Sequence, residues 1–320
     1  MIQNAYELER ALTEQVSKVL VGKAAQLRLI TAAILAEGHI LLEDLPGVGK
    51  TTLVKCLSIA LGCESRRVQF TPDLLPSDVT GMNIFDRNTG AFKRLRGPVV
   101  TNLLLADELN RAIPRTQSAL LEAMEEKQVT LDGVTEPLPA PFVVLATQNP
   151  VESESTFRLP AAQMDRFLMC LSLGYPTPEE EVAMLAAVGG DMPYDSIQTV
   201  TGPEEICRLQ KQVQSVAVSE DVTRYIVSLI NATRVSRDLR LGASPRASRA
   251  MYRTAKALAA VSGRDFVTPD DIRELAVPVL CHRMVLSADA AMSGNTVEQV
   301  MAAILDEVPV PPAKDELFAK

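Results

Sequence analysis

The chain has 320 residues, of which 47% are hydrophobic and 22% are charged, and its net charge at pH 7 is -8. This composition is that of a soluble globular protein long enough to form two domains. The acidic balance argues against a protein whose main task is to grip a nucleic-acid backbone, because such proteins usually present a basic face.

The sequence has no pattern of an exported or membrane-spanning protein. No uninterrupted apolar stretch approaches the roughly 20 residues that a helix needs to cross a bilayer. Residues 1–7 lack the basic and then apolar pattern of a secretory signal. The five cysteines are dispersed and form no C-x-x-C pair, which is typical of reduced, buried thiols. We therefore expect a cytoplasmic protein without a membrane span and without a structural metal.

The first elements predicted along the chain are two helices, a short strand and a third helix. Asn4 and Glu7 resemble a capping box, and the apolar residues after them recur at helical spacing. The second helix is expected to stop near Gly38, before a short apolar strand at residues 40–42. The third helix follows a glycine-rich turn and is expected to end at Gly62, because glycine commonly caps helices.

Three further apolar runs, at residues 103–106, 142–146 and 167–171, predict buried strands. Near-continuous apolar strands are what a parallel sheet requires when helices cover both of its faces. A helical stretch at residues 117–125 supplies part of that cover. The alternation of strands and helices indicates an α/β fold.

Two segments break this alternation and predict β-hairpins, at residues 82–95 and 129–134. In the second, Asp132 and Gly133 favour the tight type I′ turn. The first also carries a small basic cluster, which we interpret as a solvated hairpin edge. Contact with a substrate or an acidic partner is the alternative interpretation of this cluster. Its members are Lys93, Arg94 and Arg96.

The character of the chain changes after Leu173. Pro176 and Pro178 mark a boundary, and the apolar spacing beyond them is helical almost throughout. We therefore predict an α/β domain over residues 1–173 and a smaller, all-α domain over residues 174–320. The two histidines, His39 and His282, fall in different domains and are interpreted as packing residues.

The glycine-rich turn between the first strand and the third helix has the pattern of a phosphate-binding loop. Its residues are Pro46, Gly47, Val48, Gly49, Lys50, Thr51 and Thr52. The glycines allow backbone N–H groups to close around phosphate oxygens, and the helix N-terminus adds a favourable dipole. Lys50 is expected to neutralise the β- and γ-phosphates and Thr51 to hold Mg²⁺. The turn therefore predicts a site for ATP and Mg²⁺.

This loop departs from the usual eight-residue pattern at one position. The pattern begins with a glycine, where this chain has Asp44. Because aspartate tolerates unusual backbone angles better than most residues, we expect the loop to keep its shape.

Acidic and amide side chains follow two of the predicted strands. The strand at residues 103–106 ends in Asp107 and Glu108. Asp107 is expected to hold Mg²⁺ through the waters of the ion, and Glu108 to orient and deprotonate the attacking water. Asn149 follows the strand at residues 142–146 and is expected to position the same water. The alternative interpretation of Asn149 is a turn-forming residue before a proline.

Several longer strings resemble the MoxR family of AAA+ ATPases and together extend over most of the chain. They lie at residues 69–78, 107–126, 161–167, 242–247 and 267–271. The resemblance implies a P-loop AAA+ fold, in which a three-layer α/β core with a parallel sheet is followed by a smaller all-α lid domain. The two hairpins resemble the helix-2 insert and the pre-sensor-1 hairpin of the branch that also contains magnesium chelatase.

The resemblance also implies roles for individual residues near the nucleotide. Asp107 and Glu108 resemble the Walker B pair of the family, and Asn149 resembles its sensor 1 residue. Val21 and Gly22 resemble the segment that packs near the adenine.

Two arginines resemble catalytic residues of the family. Arg166 resembles the arginine finger, which reaches the γ-phosphate held by a neighbouring subunit, and Arg246 resembles sensor 2, which comes from the lid to the nucleotide of its own subunit. Arg166 stands just ahead of an apolar strand, so we expect it to face away from its own P-loop; a surface salt bridge is the alternative. The family pattern has a glycine and a proline where this chain has Ser155 and Arg158. We interpret Arg158 as an exposed surface residue, with a role as a rival or helper of Arg166 as the alternative, and Arg111 stays open in the same way.

The resemblance implies an ATP hydrolase that assembles as a ring, expected to be a hexamer, and drives chaperone-like remodelling or maturation of a protein partner. In this family the partner is often a protein with a von Willebrand factor A domain. Two other function classes stay open, a nucleic-acid motor and a nucleotide-gated binding switch that hydrolyses ATP slowly. A magnesium-chelatase-like subunit is a near neighbour of the first hypothesis.

Overall fold

The computed structural model describes residues 2–45, 47–88, 90–149, 156–187 and 194–311. The strands are β1 (Ile40–Glu43), β2 (Ser65–Gln69), β3 (Gly81–Asp86), β4 (Ala91–Arg96), β5 (Leu103–Asp107), β6 (Gln128–Leu131), β7 (Val134–Pro137), β8 (Val143–Gln148), β9 (Met169–Leu171), β10 (Leu239–Leu241) and β11 (Val285–Leu286). The helices are α1 (Ala5–Val16), α2 (Ala24–Leu35), α3 (Lys50–Leu61), α4 (Pro76–Thr80), α5 (Pro114–Glu126), α6 (Ala161–Met164), α7 (Pro178–Ala187), α8 (Pro203–Val213), α9 (Glu220–Val235), α10 (Pro245–Val261), α11 (Pro269–Leu280), α12 (Ala288–Met292) and α13 (Val297–Glu307).

Five parallel strands form the main sheet, in the order β2-β5-β8-β1-β9. Ile40 of β1 lies opposite Leu145 of β8 on one side and Met169 of β9 on the other. Strands β5 and β8 are buried almost throughout, as expected for a parallel sheet covered on both faces. The predicted α/β fold is confirmed. Because the strands are parallel, all five end at one border, called here the carboxyl edge, and begin at the amino edge, roughly 15 Å away.

The local signals for the ends of two helices are confirmed. The backbone N–H of Glu7 donates a 2.9 Å hydrogen bond to Asn4 Oδ1 and so caps α1. Gly62 ends α3 in the left-handed conformation, with φ of 60°, which a residue without a Cβ adopts at little cost.

Strand β2 and helix α4 are not predicted by the sequence patterns. In β2 only Val68 is buried, because the strand lies at the border of the sheet. Helix α4 has five residues, which is too short for a recognisable helical period. Strand β2 carries Arg67 and Gln69, which contact Asp107 and Glu108.

Both predicted hairpins are formed, by β3 with β4 and by β6 with β7. The turn residues Asp132 and Gly133 have φ of 49° and 79°, the positive values that a type I′ turn requires. Arg94 and Arg96 on the first hairpin both form ion pairs with Glu136 on the second. The basic cluster is therefore more than a solvated edge, because two of its three cations tie the hairpins together.

The region after residue 194 is mainly helical, with one short antiparallel ribbon of β10 and β11 that the apolar spacing does not predict. Its helix α10 packs against α1 and α2, and Met251 and Leu258 share one hydrophobic core with Leu12 and Ile30. The N-cap residue of α10, Ser244, hydrogen-bonds Asp165 just ahead of β9. The beginning of α10 therefore lies at the amino edge of the sheet. The domain division after residue 173 stays a prediction.

Three of the five cysteines are buried, namely Cys56, Cys63 and Cys281, whereas Cys170 and Cys207 are half-buried. All five cysteines are free thiols, and burial raises the pKa of Cys56 to about 11 and that of Cys63 to about 12. Within the described ranges no three metal-binding side chains cluster, and no helix is long and apolar enough to cross a membrane.

Candidate active site

The phosphate-binding loop leaves the carboxyl edge after β1 and leads into α3. Gly47 and Gly49 have φ of 88° and 91°, a left-handed conformation that side chains with a Cβ rarely adopt. A Cβ added to Gly49 would lie 3.0 Å from Leu20 Cδ1, whereas one added to Gly47 would meet no atom within 4 Å. The loop therefore has the open, glycine-dependent shape of a phosphate cradle. Pro46 lies outside the described residues.

The first turn of α3 places cationic and hydroxyl groups beside this cradle. Lys50 Nζ donates a 3.0 Å hydrogen bond to the carbonyl oxygen of Asp44, which holds the ammonium over the loop. Thr51 is exposed, and Thr52 is half-buried on the same turn, while Val48 is buried. Together with the free N–H groups of the helix N-terminus, these residues fit a polyphosphate chain with its metal ion.

Asp44 stabilises the phosphate-binding loop through its side chain rather than through its backbone conformation. Its φ is not positive, so the expected tolerance of unusual backbone angles is not what the loop uses. The buried carboxylate accepts hydrogen bonds from Ser172 Oγ at 2.7 Å, Leu173 N at 2.7 Å and Gly174 N at 3.1 Å. Asp44 therefore fastens the base of the phosphate-binding loop to the chain that follows β9.

The segment of Val21 and Gly22 lies on the other side of the loop. Its neighbour Leu20 packs against Gly49, and the carboxylate of Glu180 lies over Gly22, where a Cβ would approach it to 1.9 Å. Gly22 also has a positive φ of 77°. The position beside the phosphate-binding loop agrees with the prediction, and the contact with adenine stays a prediction.

Asp107 is the last residue of β5, at the carboxyl edge next to β8, and Glu108 follows it. Thr147 of β8 joins them, because its Oγ1 donates to Asp107 Oδ1 at 2.7 Å and accepts from the backbone N–H of Glu108 at 2.8 Å. The second oxygen of Asp107 accepts from Arg67 Nη2 at 2.6 Å. These bonds hold the carboxylate of Asp107 and the backbone of Glu108, the predicted Walker B pair.

Glu108 has a left-handed backbone, with φ of 56° and ψ of 47°. Such a conformation costs a residue with a Cβ about 1–2 kcal/mol and persists only where its surroundings stabilise it. Here the carboxylate accepts from Gln69 Nε2 at 2.7 Å and pairs with Arg111 Nη1 at 3.1 Å. The strain and the two contacts aim the carboxylate of Glu108, which is the arrangement a general base needs.

Asn149 follows β8 and is buried. The register pairs Gln148 with Glu43, so Asn149 stands beside the beginning of the phosphate-binding loop. The position at the end of β8 agrees with the prediction, and the contact with the attacking water stays a prediction.

Arg166 and Arg246 lie away from these residues, at the amino edge. Leu168 N donates to the carbonyl oxygen of His39 at 2.8 Å, which places Arg166 at the beginning of β9, as predicted. Arg166 Nη2 lies 3.3 Å from Glu125 Oε2, and Arg246 Nη2 bonds the other oxygen of the same carboxylate. In this structure Arg246 therefore lies at the amino edge and not beside the phosphate-binding loop of its own subunit, and its contact with a nucleotide stays a prediction. The reason is the packing of α10 on α1 and α2, which carries Arg246 to the amino edge.

A buried ion pair fixes the chain just ahead of Arg166. Arg283 Nη1 lies 2.9 Å from Asp165 Oδ1, and Ser244 Oγ donates to Asp165 Oδ2 at 2.8 Å. Arg283 also donates to the carbonyl oxygen of Phe167 at 2.5 Å, and burial lowers the pKa of its guanidinium to about 10. Two residues of the lid therefore hold the position of Arg166.

The two other arginines considered from sequence take different positions. Arg111 contacts Glu108 of its own subunit and so belongs to the carboxyl edge. Arg158 is exposed, and Ser155 lies outside the described residues.

Comparison with known proteins places this architecture in a family. A family model described as "ATPase family associated with various cellular activities (AAA)" matches residues 39–169, and one described as "AAA lid domain" matches residues 231–304. Chaperone MoxR1 of Mycobacterium tuberculosis is 41% identical over 315 residues, which are 96% of this chain and 83% of that protein. The chain belongs to the MoxR family of AAA+ ATPases.

Further relatives agree with this assignment. Protein MoxR of Paracoccus denitrificans is 33% identical over 92% of this chain and 94% of its own length. Uncharacterized protein YeaC of Bacillus subtilis is 47% identical over 93% of each chain. A crystal structure from Cytophaga hutchinsonii, of a protein proposed to be an ATPase, has a TM-score of 0.89 and 38% identity, covering 96% of both chains. The MoxR-family protein described here is thus a nucleotide-binding, ATP-hydrolysing enzyme with an AAA core and a helical lid.

The sequence motifs did not assign a role to three polar residues of this MoxR-family site. They are Arg67, Gln69 and Thr147. Thr147 sits in an apolar strand and Arg67 in a strand that was not predicted. Gln69 begins one of the family-like strings, so the string pointed to it without assigning it a role.

Proposed function

We propose that this MoxR-family ATPase hydrolyses ATP at a composite site between neighbouring subunits of a ring, most simply a hexamer. One observation carries the proposal: Arg166 and Arg246 lie at the opposite edge of the sheet from the phosphate-binding loop. Neither arginine reaches the loop of its own subunit, whereas both are available to a loop on a neighbouring subunit. The two edges of one subunit then serve two different nucleotides.

Residues of the carboxyl edge supply the groups that act on ATP within one subunit. Lys50 and the N–H groups of the loop bind the phosphates. Thr51 and Asp107 have the donor chemistry to hold Mg²⁺, which neutralises phosphate charge when bound. Glu108 takes a proton from the attacking water, and Asn149 holds that water in line with the γ-phosphate.

The neighbouring subunit contributes the arginines. A planar guanidinium stabilises the charge that spreads over the γ-phosphoryl oxygens in the transition state. Because Arg166 and Arg246 stand together, a neighbour would present two positive charges at once. Hydrolysis would then depend on assembly of the ring.

The energy of this cycle is proposed to remodel a protein client, with a von Willebrand factor A domain as the expected partner. The chaperone name of the Mycobacterium tuberculosis relative supports a protein client. The net charge of -8 disfavours nucleic acid as the partner.

Measurement of ATP turnover by two single variants tests the composite site. Glu108→Gln is expected to slow turnover by about 10²- to 10⁴-fold while ATP binding is retained. Arg166→Ala is expected to slow it by about 10³- to 10⁵-fold, also with ATP binding retained. Equal turnover by Glu108→Gln and the unaltered protein would exclude Glu108 as the base. The client is sought among proteins that co-purify with the ATP-loaded Glu108→Gln ring.

A further inference from the structure

The carboxylate of Glu125 holds both arginines of the amino edge. Its Oε2 lies 3.3 Å from Arg166 Nη2, and its Oε1 accepts a hydrogen bond from Arg246 Nη2. All three side chains keep solvent access, since 30% to 45% of each is exposed. Glu125 is therefore a surface carboxylate shared between two guanidinium groups rather than a buried structural ion.

This sharing has an electrostatic consequence. Two guanidinium groups that must both face one phosphate carry like charges and repel each other. The cavity around them, of about 580 Å³, is also lined by Arg249 and Arg253 and by two ion pairs, Lys127 with Glu37 and Arg283 with Asp165. A carboxylate between the two arginines offsets that repulsion and keeps them close. Each guanidinium has five N–H donors, so a contact with Glu125 leaves donors available for a phosphate.

Glu125 also belongs to the element that follows the catalytic acid. Helix α5 begins at Pro114, shortly after Glu108, and reaches Glu125 near its end at the amino edge. Its 13 residues span about 20 Å. One helix therefore connects the catalytic carboxylate at one edge with the arginine pair at the other.

We propose that Glu125 is a positioning residue that holds Arg166 and Arg246 as one unit for the γ-phosphate bound by the neighbouring subunit. This inference rests on the proposed function, in which both arginines act in trans. Glu125 touches neither nucleotide in this scheme, and it acts on the reaction only through the two arginines.

The first test measures ATP turnover by Glu125→Gln, with Glu126→Gln as its matched control. Glu126 carries the same charge on the next residue of α5, and no ion pair to it is formed among the described residues. Glu125→Gln is expected to lower kcat at least about tenfold with a small change in KM, because displaced catalytic groups slow the chemical step. Glu126→Gln is expected to keep the unaltered kcat. Unchanged or raised turnover by Glu125→Gln, with intact rings, overturns the proposal.

A mixing experiment separates positioning in trans from a merely structural role. Glu125→Gln subunits retain Glu108, whereas Glu108→Gln subunits retain the intact arginine unit. Rings assembled from equal amounts of both variants should hydrolyse ATP several-fold faster than the mean of the two separate rings. The gain is expected because a competent loop then meets competent arginines on its neighbour. No gain means that Glu125 does not act on the neighbouring site.

A parallel mixture of Arg166→Ala with Glu108→Gln subunits tests the composite site separately from the role of Glu125. If this mixture gains activity and the Glu125→Gln mixture does not, the role of Glu125 is wrong and the trans arginine finger stands. If neither mixture gains activity, the composite site itself is wrong, and the role of Glu125 falls with it. A gain of ATP turnover in both mixtures supports both the composite site and the role of Glu125.

Discussion

Thr147 donates a 2.7 Å hydrogen bond to Asp107 across the ends of two neighbouring strands. The same hydroxyl accepts the backbone N–H of Glu108, so one buried side chain holds the carboxylate of Asp107 and the backbone from which the carboxylate of Glu108 projects. Asp107 also accepts from Arg67, and the carboxylate of Glu108 contacts Gln69 and Arg111, so Thr147 is the contact that the two residues share.

Thr147→Val is expected to lower ATP turnover about 10- to 100-fold, because Glu108 loses its alignment with the attacking water. The variant also leaves the N–H of Glu108 without its acceptor, which costs about 1–3 kcal/mol of unfolding free energy. Turnover and urea unfolding measure the two effects. Thr147→Ser keeps the hydroxyl and is the control. Equal losses of turnover in both variants would contradict the role of the hydrogen bonds.

Asp44→Gly tests what the first position of the phosphate-binding loop requires. Glycine is the residue of the usual pattern, so it would be harmless if only the backbone mattered. Because the Asp44 carboxylate accepts three hydrogen bonds, we expect the variant to lose about 3 kcal/mol of unfolding free energy. We also expect about tenfold weaker ATP binding, since the loop loses the hydrogen bonds that hold its base to the chain after β9. Wild-type affinity and stability in Asp44→Gly would contradict this explanation.

The sequence predicted the carboxyl edge of the site better than the amino edge. Lys50, Asp107, Glu108 and Asn149 each follow a strand that is recognisable from its apolar residues, and parallel strands must end at one edge. Such residues are brought together by the topology alone. The position of Arg166 followed from the same rule, because it precedes a recognisable strand.

Arg246 could not be placed in this way. Its position depends on how α10 packs against α1 and α2, which are more than 200 residues earlier in the chain. No local pattern encodes that packing. Gln69 was missed for a different reason, because β2 is an edge strand with one buried residue and leaves no apolar signal.

Asp165→Ala is expected to lower the unfolding free energy by about 3–5 kcal/mol, because Arg283 would stay buried without its counter-ion. Arg224→Ala is the matched control. It removes an exposed pair with Glu220 on α9, which contributes only about 0.3–0.5 kcal/mol. Urea unfolding compares the two variants. Similar small losses in both would show that the Asp165 pair does not hold the lid against the core.

The stability of the protein is expected to fall in mild acid because of His39. Its Nδ1 accepts from Val144 N at 3.0 Å, and its Nε2 lies 3.0 Å from the carbonyl oxygen of Met124, so the buried ring fits its place only when neutral. Burial lowers the pKa of His39 to about 4, against about 6.5 in the unfolded chain. Between these values the unfolded chain binds the proton and the folded protein does not, so the unfolding free energy decreases as the pH falls.

From pH 7 to pH 5, His39 should account for a loss of about 2 kcal/mol. Urea unfolding of the unaltered protein and of His39→Gln at both pH values measures this contribution. The variant is less stable at pH 7, because it loses the buried imidazole ring and its two contacts. Glutamine does not titrate, so its contribution does not change with pH. The stability difference between the two proteins should therefore shrink by about 2 kcal/mol at pH 5. A difference that stays constant would mean that His39 takes up its proton in the folded protein as readily as in the unfolded chain.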